Sequence, residues 1–487
     1  MSKILFTHSY FYRFDEKQWK TAQPYPPYGT MYAAAFMRSS GYAVELFDTC
    51  LRESAAEILP VLEAFNPQYL VIYDDGFNYL TKMCLTRMRE AAFQMAKWGK
   101  AHGCTVIVNS SDSSDHYAEY LTQGADFVIL GEGEITLREL ILSIEAGASD
   151  LSNIPGIAFA NAAPEFPAIK TTPRPVLHDL DSLPDPAWDL VDMEAYRSIW
   201  MRAHGYFALN LATTRGCPYK CNWCAKPIYG NRYNTRSPER VVAEIEHLIH
   251  HYGVQHFWMA DDIFGLKPGW VQRFRELVLE KNLKFSYKIQ SRVDLLLKED
   301  TIDALVASGL KQVWVGAESG SQKILDAMDK GTRVEEIYDA TALLKKKGVE
   351  VCFFLQFGYL GETKEDIDAT MQMLETLKPH DIGISVSYPL PGTKFYEKVK
   401  DMLGAKQNWR VSDDLAMMYP ATFSAAYYRR LHRLVHKKFR LQQGLVEWRK
   451  FFQTGNANLR RAFKACYYAP AAQIDAWRLR QLERKAS

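Results

Sequence analysis

Between residues 3 and 133, short apolar runs rich in β-branched and aromatic residues alternate with helix-length amphipathic stretches. "KILFTHS", "AVELFD", "QYLVIYDD", "TVIVNSS" and "ADFVILGEG" have the length and composition of strands, and "GTMYAAAFMRSSG" and residues 80–102 have those of helices. Strand and helix in strict alternation predict a parallel sheet covered on both faces, a doubly wound α/β layer. Ligands of such sheets lie beyond the carboxyl ends of the strands, which here carry "THSY", "YDDG", "NSSDSSD" and "LGEGE".

Residues 150–200 interrupt the rhythm. Pro155, Pro164, Pro167, Pro173, Pro175, Pro184 and Pro186 rule out long helices, so a linker is expected there. From residue 206 the alternation resumes through "FALNLATT", "QHFWMADD", "KFSYKIQ", "KQVWVGAES", "VCFFLQFGYLG" and "DIGISVSYPLPG". Between the first two lies "SPERVVAEIEHLIHHYG", with Ser237 as cap, Pro238 at the first helical position and Val241, Ile245, Leu248 and Ile249 on one stripe. Six strands with intervening helices predict a partial (β/α)6 barrel whose working face is at the strands' carboxyl ends. Past residue 400 the strand signals stop, and "YYRRLHRLVHKKFRLQQGLVEWRKFF" reads as basic amphipathic helix. The expected organisation is 1–148 sheet domain, 149–204 linker, 205–398 barrel and 399–487 helical region.

Composition narrows the class. With 47% hydrophobic and 24% charged residues, the chain can bury cores throughout its 487 positions. The net charge of +2 argues against a general nucleic-acid field, although residues 401–487 carry 17 Lys/Arg against 6 Asp/Glu. That tail is either a solvated helical face or a surface that meets phosphates, an anionic cofactor or, peripherally, an acidic membrane surface. No apolar run nears the roughly 20 residues of a spanning helix, and the start reads as a strand, so a cytoplasmic setting is expected. Cys50, Cys84, Cys104, Cys352 and Cys466 are scattered singly, unlike a disulfide framework.

The other three cysteines stand together in "GCPYKCNWCAK", directly after the first barrel strand. Closed zinc sites need four ligands, commonly as two spaced pairs, and no second pair follows. Three thiolates on a four-iron cluster leave one iron without a protein ligand, open to a small molecule. The alternatives are a zinc site completed from afar and plain free thiols.

Cys217, Cys221 and Cys224, with Trp223 before the last, resemble the cluster motif of the radical S-adenosylmethionine (SAM) superfamily. The resemblance covers roughly residues 205–395. It implies a 4Fe-4S cluster ligated by the three cysteines, SAM bound at the open iron, and reductive cleavage of SAM to a 5′-deoxyadenosyl radical. It also assigns cofactor contacts to Trp223, to Asp262 in "ADDIF", where many members carry glycines, and to Arg292 in "SRVD", as a carboxylate partner. Glu318 and Ser319 in "GAESGSQKIL" are assigned to the ribose and carboxylate, and Gly358 in "FGYLGET" to the adenine.

The sheet domain resembles the cobalamin-binding domain of one subgroup of that superfamily. The carrying residues are Pro27, Tyr28 and Gly29 in "YPPYGTM" and Gly131 to Glu134 in "LGEGE", the alternative being a nucleotide-type sheet with a helix-capping loop. The resemblance implies cobalamin against Ser9, Tyr10, Asp74, Asp75, Ser110, Gly131 and Gly133. His8 lacks the Asp-x-His-x-x-Gly frame, so no histidine is expected on the cobalt. The subgroup methylates unactivated carbons of small molecules, some large and hydrophobic, and includes oxidative cyclases of magnesium porphyrins. The residues from Trp409 resemble the helical tail of those cyclases and of related methylases, which leaves methylation beside cyclisation or another radical rearrangement of a tetrapyrrole-like or lipid substrate. Electrons would come from a flavodoxin or ferredoxin, and no nucleic acid is expected. A non-enzymatic sensor or electron carrier is the remaining class, but a carrier has no use for an open iron.

Overall fold

The computed structural model describes residues 1–74, 86–161, 168–226, 228–403, 417–455 and 457–483. Five parallel strands, β1 (Lys3–Thr7), β2 (Ala43–Phe47), β3 (Tyr69–Tyr73), β4 (Thr105–Asn109) and β5 (Phe127–Ile129), stand in the order β2-β1-β3-β4-β5. All five residues of β3 are buried, as expected of a strand covered on both faces. The order reverses between β1 and β3, and at such a switch point the adjoining loops part to leave a crevice. The stretch read as a linker adds two short antiparallel strands to this sheet, β6 (Ile157–Ala160) and β7 (Ala168–Lys170). Proline excludes helix but not a short edge strand, so the composition was compatible with both outcomes.

The second sheet contains β8 (Ala208–Leu211), β11 (His256–Met259), β12 (Ser286–Ser291), β13 (Leu310–Glu318), β14 (Glu350–Phe357) and β15 (Asp381–Val386), all parallel and in sequential order. Between β8 and β11, β9 (Thr214–Arg215) and β10 (Asn234–Thr235) pair antiparallel and close the loop that holds the three cysteines. The helix Pro238–Tyr252 begins as predicted, with Ser237 Oγ accepting from the Arg240 N–H at 3.2 Å. Val241, Val242, Ile245 and Leu248 are fully buried, each contributing roughly 1.5–3 kcal/mol, while Ile249 is half-buried. Two long antiparallel helices, Ala425–Thr454 and Leu459–Glu483, follow the barrel.

Side chains on β11–β15 alternate in burial. Phe257, Tyr287, Ile289, Val313, Val315 and Phe353 are sealed under the helices, whereas Trp258, Lys288, Gln290, Trp314 and Phe354 keep accessible surface on the opposite face. That face is the barrel interior, and it is lined by aromatic rings. The Lys288 ammonium lies 5.3 Å from the ring centres of both Tyr25 and Trp258. Burial pulls its pKa down to about 8.

Candidate functional site

The cysteine loop is fastened from several sides. Gly216 holds φ +81°, and a Cβ there would fall on the Arg232 carbonyl, so only glycine turns the chain into Cys217 at this point. Thr213 and Thr214 each donate a backbone N–H and a hydroxyl to Asp261, at 2.6 to 3.1 Å. Burial pushes Asp261 up to about 6 against those four donors. Asn222 is buried between Cys221 and Cys224. It donates its amide to the Ala327 carbonyl (2.7 Å) and its backbone N–H to Met328 (3.0 Å), and accepts from the Tyr359 hydroxyl (2.8 Å) and the Phe395 N–H (2.9 Å). The loop is thereby held against the segments that follow β13 and β14.

The three thiols are half-buried and unbridged. Burial pushes the Cys217 thiol up, and nearby Asp262 adds to the shift. Asp262 is exposed at the loop, while its neighbour Asp261 is the structural residue. Among the described residues no three of His, Cys, Asp or Glu converge as ligands of a single metal ion. Thiolates of a cluster sit on separate irons and need not converge, so the donor set fits a multi-iron group. Trp223 packs against the apolar cluster that contains Ile324, Met328, Tyr359 and Phe395, and its Nε1 is buried with no hydrogen-bond partner, a donor left over for a bound group.

Glu318 stands at the end of β13 in the left-handed region (φ +56°), where the register with β14 slips. Such strain in a non-glycine residue is retained where a side chain must be aimed. Its Oε1 accepts from Lys330 Nζ at 2.8 Å, both residues being buried, and a Cβ on Gly316 would lie 2.5 Å from that ammonium. Burial opposes the charge on Lys330, but Glu318 and the adjacent Cys221 outweigh it, so its pKa is raised. Lys330 also lies 6.0 Å from the Trp223 ring centre.

Two expected contacts are otherwise engaged. Arg292 donates to Asp294 (2.9 Å), to the Lys330 carbonyl (2.8 Å) and to Gly331 (3.2 Å), with its guanidinium 3.8 Å from the Tyr219 ring centre. Its fork ties the cysteine loop to the 330 loop. Ser319 is fully buried and bonded to Thr370 Oγ1 at 3.1 Å, a turn contact on the helix side. Gly358 (φ +78°) gives its N–H to Glu362 Oε2 at 2.6 Å, and its carbonyl accepts from the Tyr419 hydroxyl. A Cβ on Gly358 would be 3.0 Å from Met417 Cε, so the start of the C-terminal region covers this segment. Glu362 is fully buried with Oε1 unpaired, and burial pushes its pKa up to about 8.

At the switch point of the first sheet, Ser9 donates its N–H (2.6 Å) and hydroxyl (2.9 Å) to Asp74, whose pKa burial raises. Ser110 caps the short helix Ser111–Asp115, and the neighbouring Ser111 Oγ is buried without a partner. Gly131 (φ +80°) and Gly133 leave bare backbone at the end of β5, and a Cβ on Gly133 would press into the Tyr73 ring at 2.7 Å. These polar groups, one hydroxyl among them orphaned, stand together at the carboxyl ends of the strands, a donor and acceptor set that fits a polar, tailed cofactor. Tyr10 is buried with its hydroxyl 3.3 Å from Asp15 Oδ2. His8 is core-packed, Nε2 lying 2.8 Å from Asp48 Oδ1. Gly29 sits buried in the first turn of the helix Tyr28–Ser39. Asp75 lies outside the described residues.

The two sheets meet through contacts that sequence reading missed. Arg215, two residues before Cys217, reaches back to Glu132 (2.5 Å) and Glu134 (2.6 Å) of the "GEGE" loop, all three buried. Its guanidinium lies 5.5 and 5.3 Å from the Tyr32 and Tyr229 ring centres. Burial disfavours its charge, but Glu134 and Glu132 reverse that, so the pKa is raised and the ion persists. A second node joins Arg236, Glu244, Tyr28 and Trp188, with Arg236 Nη1 2.5 Å from Glu244 Oε2. The one available hint was a glutamate, Glu244, inside the apolar stripe of a helix.

Residues 211–374 match the family model described as the Radical SAM superfamily. The chain is 27% identical to an uncharacterised methyltransferase of Pyrococcus horikoshii, over 79% of this chain and 81% of that protein. It is 26% identical to an anaerobic magnesium-protoporphyrin IX monomethyl ester cyclase of Rubrivivax gelatinosus, over 82% and 70% respectively. Its fold is that of the radical SAM methyltransferase TsrM of Kitasatospora setae (TM-score 0.68, 19% identity, 82% of this chain and 76% of that chain). It is also that of the cobalamin-dependent SAM radical enzyme OxsB (TM-score 0.73, 17% identity, 98% and 72%).

Proposed function

We propose that this chain, which carries a radical SAM domain over residues 211–374, is a cobalamin-dependent radical SAM enzyme that methylates an unactivated carbon of a small molecule. The observation that carries this reading is the Arg215 clamp, which fixes the ligand edge of the first sheet against the cysteine loop of the second. When bound, the cluster with SAM supplies reductive sulfonium cleavage and the corrinoid supplies a transferable methyl group.

The chain's own residues bind, orient and exclude water. Cys217, Cys221 and Cys224 would hold the cluster, and Asn222 and Asp261 keep their loop in place. Glu318, turned by strained backbone at the end of β13 and paired with Lys330, offers an acceptor to a hydroxylated or cationic group, and the Trp223 N–H offers a donor. Ser110, Ser111, the Ser9–Asp74 pair and the bare backbone at Gly131 and Gly133 would receive the corrinoid tail. The aromatic barrel interior, Trp258, Trp314 and Phe354, suits a large and hydrophobic substrate. A small electron carrier such as flavodoxin or ferredoxin would deliver the reducing electron.

The test is anaerobic incubation of the loaded protein with methyl-labelled SAM, a low-potential reductant and fractionated small molecules. Release of 5′-deoxyadenosine together with label in an acceptor supports the reading, and Cys217→Ala should abolish both. Release of 5′-deoxyadenosine with no label transferred would assign oxidative cyclisation or another rearrangement instead. No turnover of SAM by cluster-loaded protein would remove the enzymatic reading.

A further inference from the structure

The helices Ala425–Thr454 and Leu459–Glu483 pack back to back, closely enough that a Cβ on Gly444 would lie 2.7 Å from Ala465 Cβ. Their near half is fastened down. Asp475 takes Arg430 and Lys437 at 2.6 Å each, Lys438 pairs with Glu375, and Gln442 and Gln443 donate to the Glu375 and His380 carbonyls. The far end differs in chemistry. From Trp448 to Ile474 the chain has Arg449, Lys450, Arg460, Arg461 and Lys464 and not one Asp or Glu. Glu447, just before that stretch, accepts from the Asn458 N–H at 2.9 Å and faces Lys450 at 3.5 Å, so it is already engaged.

Among these cations stand large apolar side chains left in solvent. Phe452 is 79% exposed, Phe463 61% and Tyr467 64%, with Phe451 and Leu459 also exposed. Trp448 stacks on Phe452 and meets Phe463 edge-on, so the rings form one patch at the tip. Exposed aromatics ringed by cations without acids are the chemistry of a headgroup interface, where rings enter the acyl boundary and ammonium and guanidinium groups meet phosphates. A second copy docked tip to tip would bring like charges together, which disfavours self-association here. Among the described residues no helix is long and apolar enough to cross a membrane, so the contact would be peripheral.

We propose that the tip of this helical hairpin docks on an anionic phospholipid bilayer, with Phe451, Phe452, Leu459 and Phe463 inserting and the five cations engaging phosphates. This is independent of the reaction assigned above, and its test needs no turnover. The full chain is sedimented with phosphatidylcholine vesicles and with phosphatidylcholine–phosphatidylglycerol vesicles. Partitioning onto the anionic vesicles should be at least about tenfold stronger and should fall in high salt. The pair Phe452→Ser with Phe463→Ser, and the triple Arg449→Gln, Lys450→Gln, Arg460→Gln, should each weaken it about tenfold or more with unchanged melting profiles. Arg429→Gln with Arg433→Gln, on the same helix nearer the body, should not. Absence of vesicle binding, equal binding to both vesicle types, or full binding by the tip variants would overturn the proposal. So would a dimer abolished by the tip substitutions without any vesicle binding.

Discussion

Replacing Arg215 with methionine tests the join between the two sheets. Methionine keeps much of the side-chain volume between Tyr32 and Tyr229 but removes the cation from Glu132 and Glu134, which lie 2.5 and 2.6 Å from the guanidinium. Side-chain exposures of 4%, 8% and 4% mean that neither carboxylate can turn to water without opening the interface. Breaking a buried pair in this way costs about 3–5 kcal/mol, because the orphaned charge stays buried. The sign with pH follows: buried carboxylates without a partner hold their protons more tightly in the folded state than in the unfolded chain. The variant's deficit is therefore largest near neutral pH and shrinks as acid protonates both groups. Denaturant unfolding of wild type and Arg215→Met at about pH 7.5 and about pH 5, with limited proteolysis of residues 171–205 as a local probe, measures this. Restoring neutrality with Glu132→Gln and Glu134→Gln in the methionine background should recover part of the loss. A single-variant deficit under about 1 kcal/mol, or one independent of pH, would refute the claim that this buried triad holds the two ligand edges together.

Three further outcomes follow from the geometry. Gly216→Ala keeps every thiol but forces φ +81° onto a β-carbon that meets the Arg232 carbonyl, so iron and sulfide content after anaerobic reconstitution should fall toward that of Cys217→Ala; full loading would contradict it. Asn222→Ala removes the amide bond to Ala327 and the acceptor for Tyr359, and should cost roughly 2–3 kcal/mol by denaturant titration and speed cluster loss to chelators. Glu362, pushed up to about 8 from an ordinary value of 4.5, keeps a proton that the unfolded chain has released, so wild-type stability falls as pH rises between those values and is level above. Glu362→Gln should flatten that slope by an amount on the order of 1.4 kcal/mol per unit of the shift, seen as a smaller difference in unfolding midpoint between about pH 5 and about pH 9.

The strands were readable because each is a short apolar run ended by small polar residues, a signal that depends only on neighbours in sequence. All eleven runs read as strands form strands, and the cysteine loop follows the first barrel strand where expected. What escaped depends on distant partners. Arg215 and Glu132 are 83 residues apart, and nothing near either position says that they meet. Arg292 and Ser319 carry the right groups for a carboxylate or ribose, but residue type does not reveal that Asp294, the 330 loop and Thr370 already engage them. Lys330 was overlooked because its value comes from the unusual backbone of Glu318, which is visible only in three dimensions.

The most direct test is elemental and spectroscopic analysis of the chain purified without oxygen from cells supplied with a corrinoid. About four irons and four sulfides per chain, equimolar cobalt, and loss of the iron but not the cobalt in Cys221→Ala would be expected. One zinc per chain in place of iron and sulfide, with no corrinoid retained, would contradict the account.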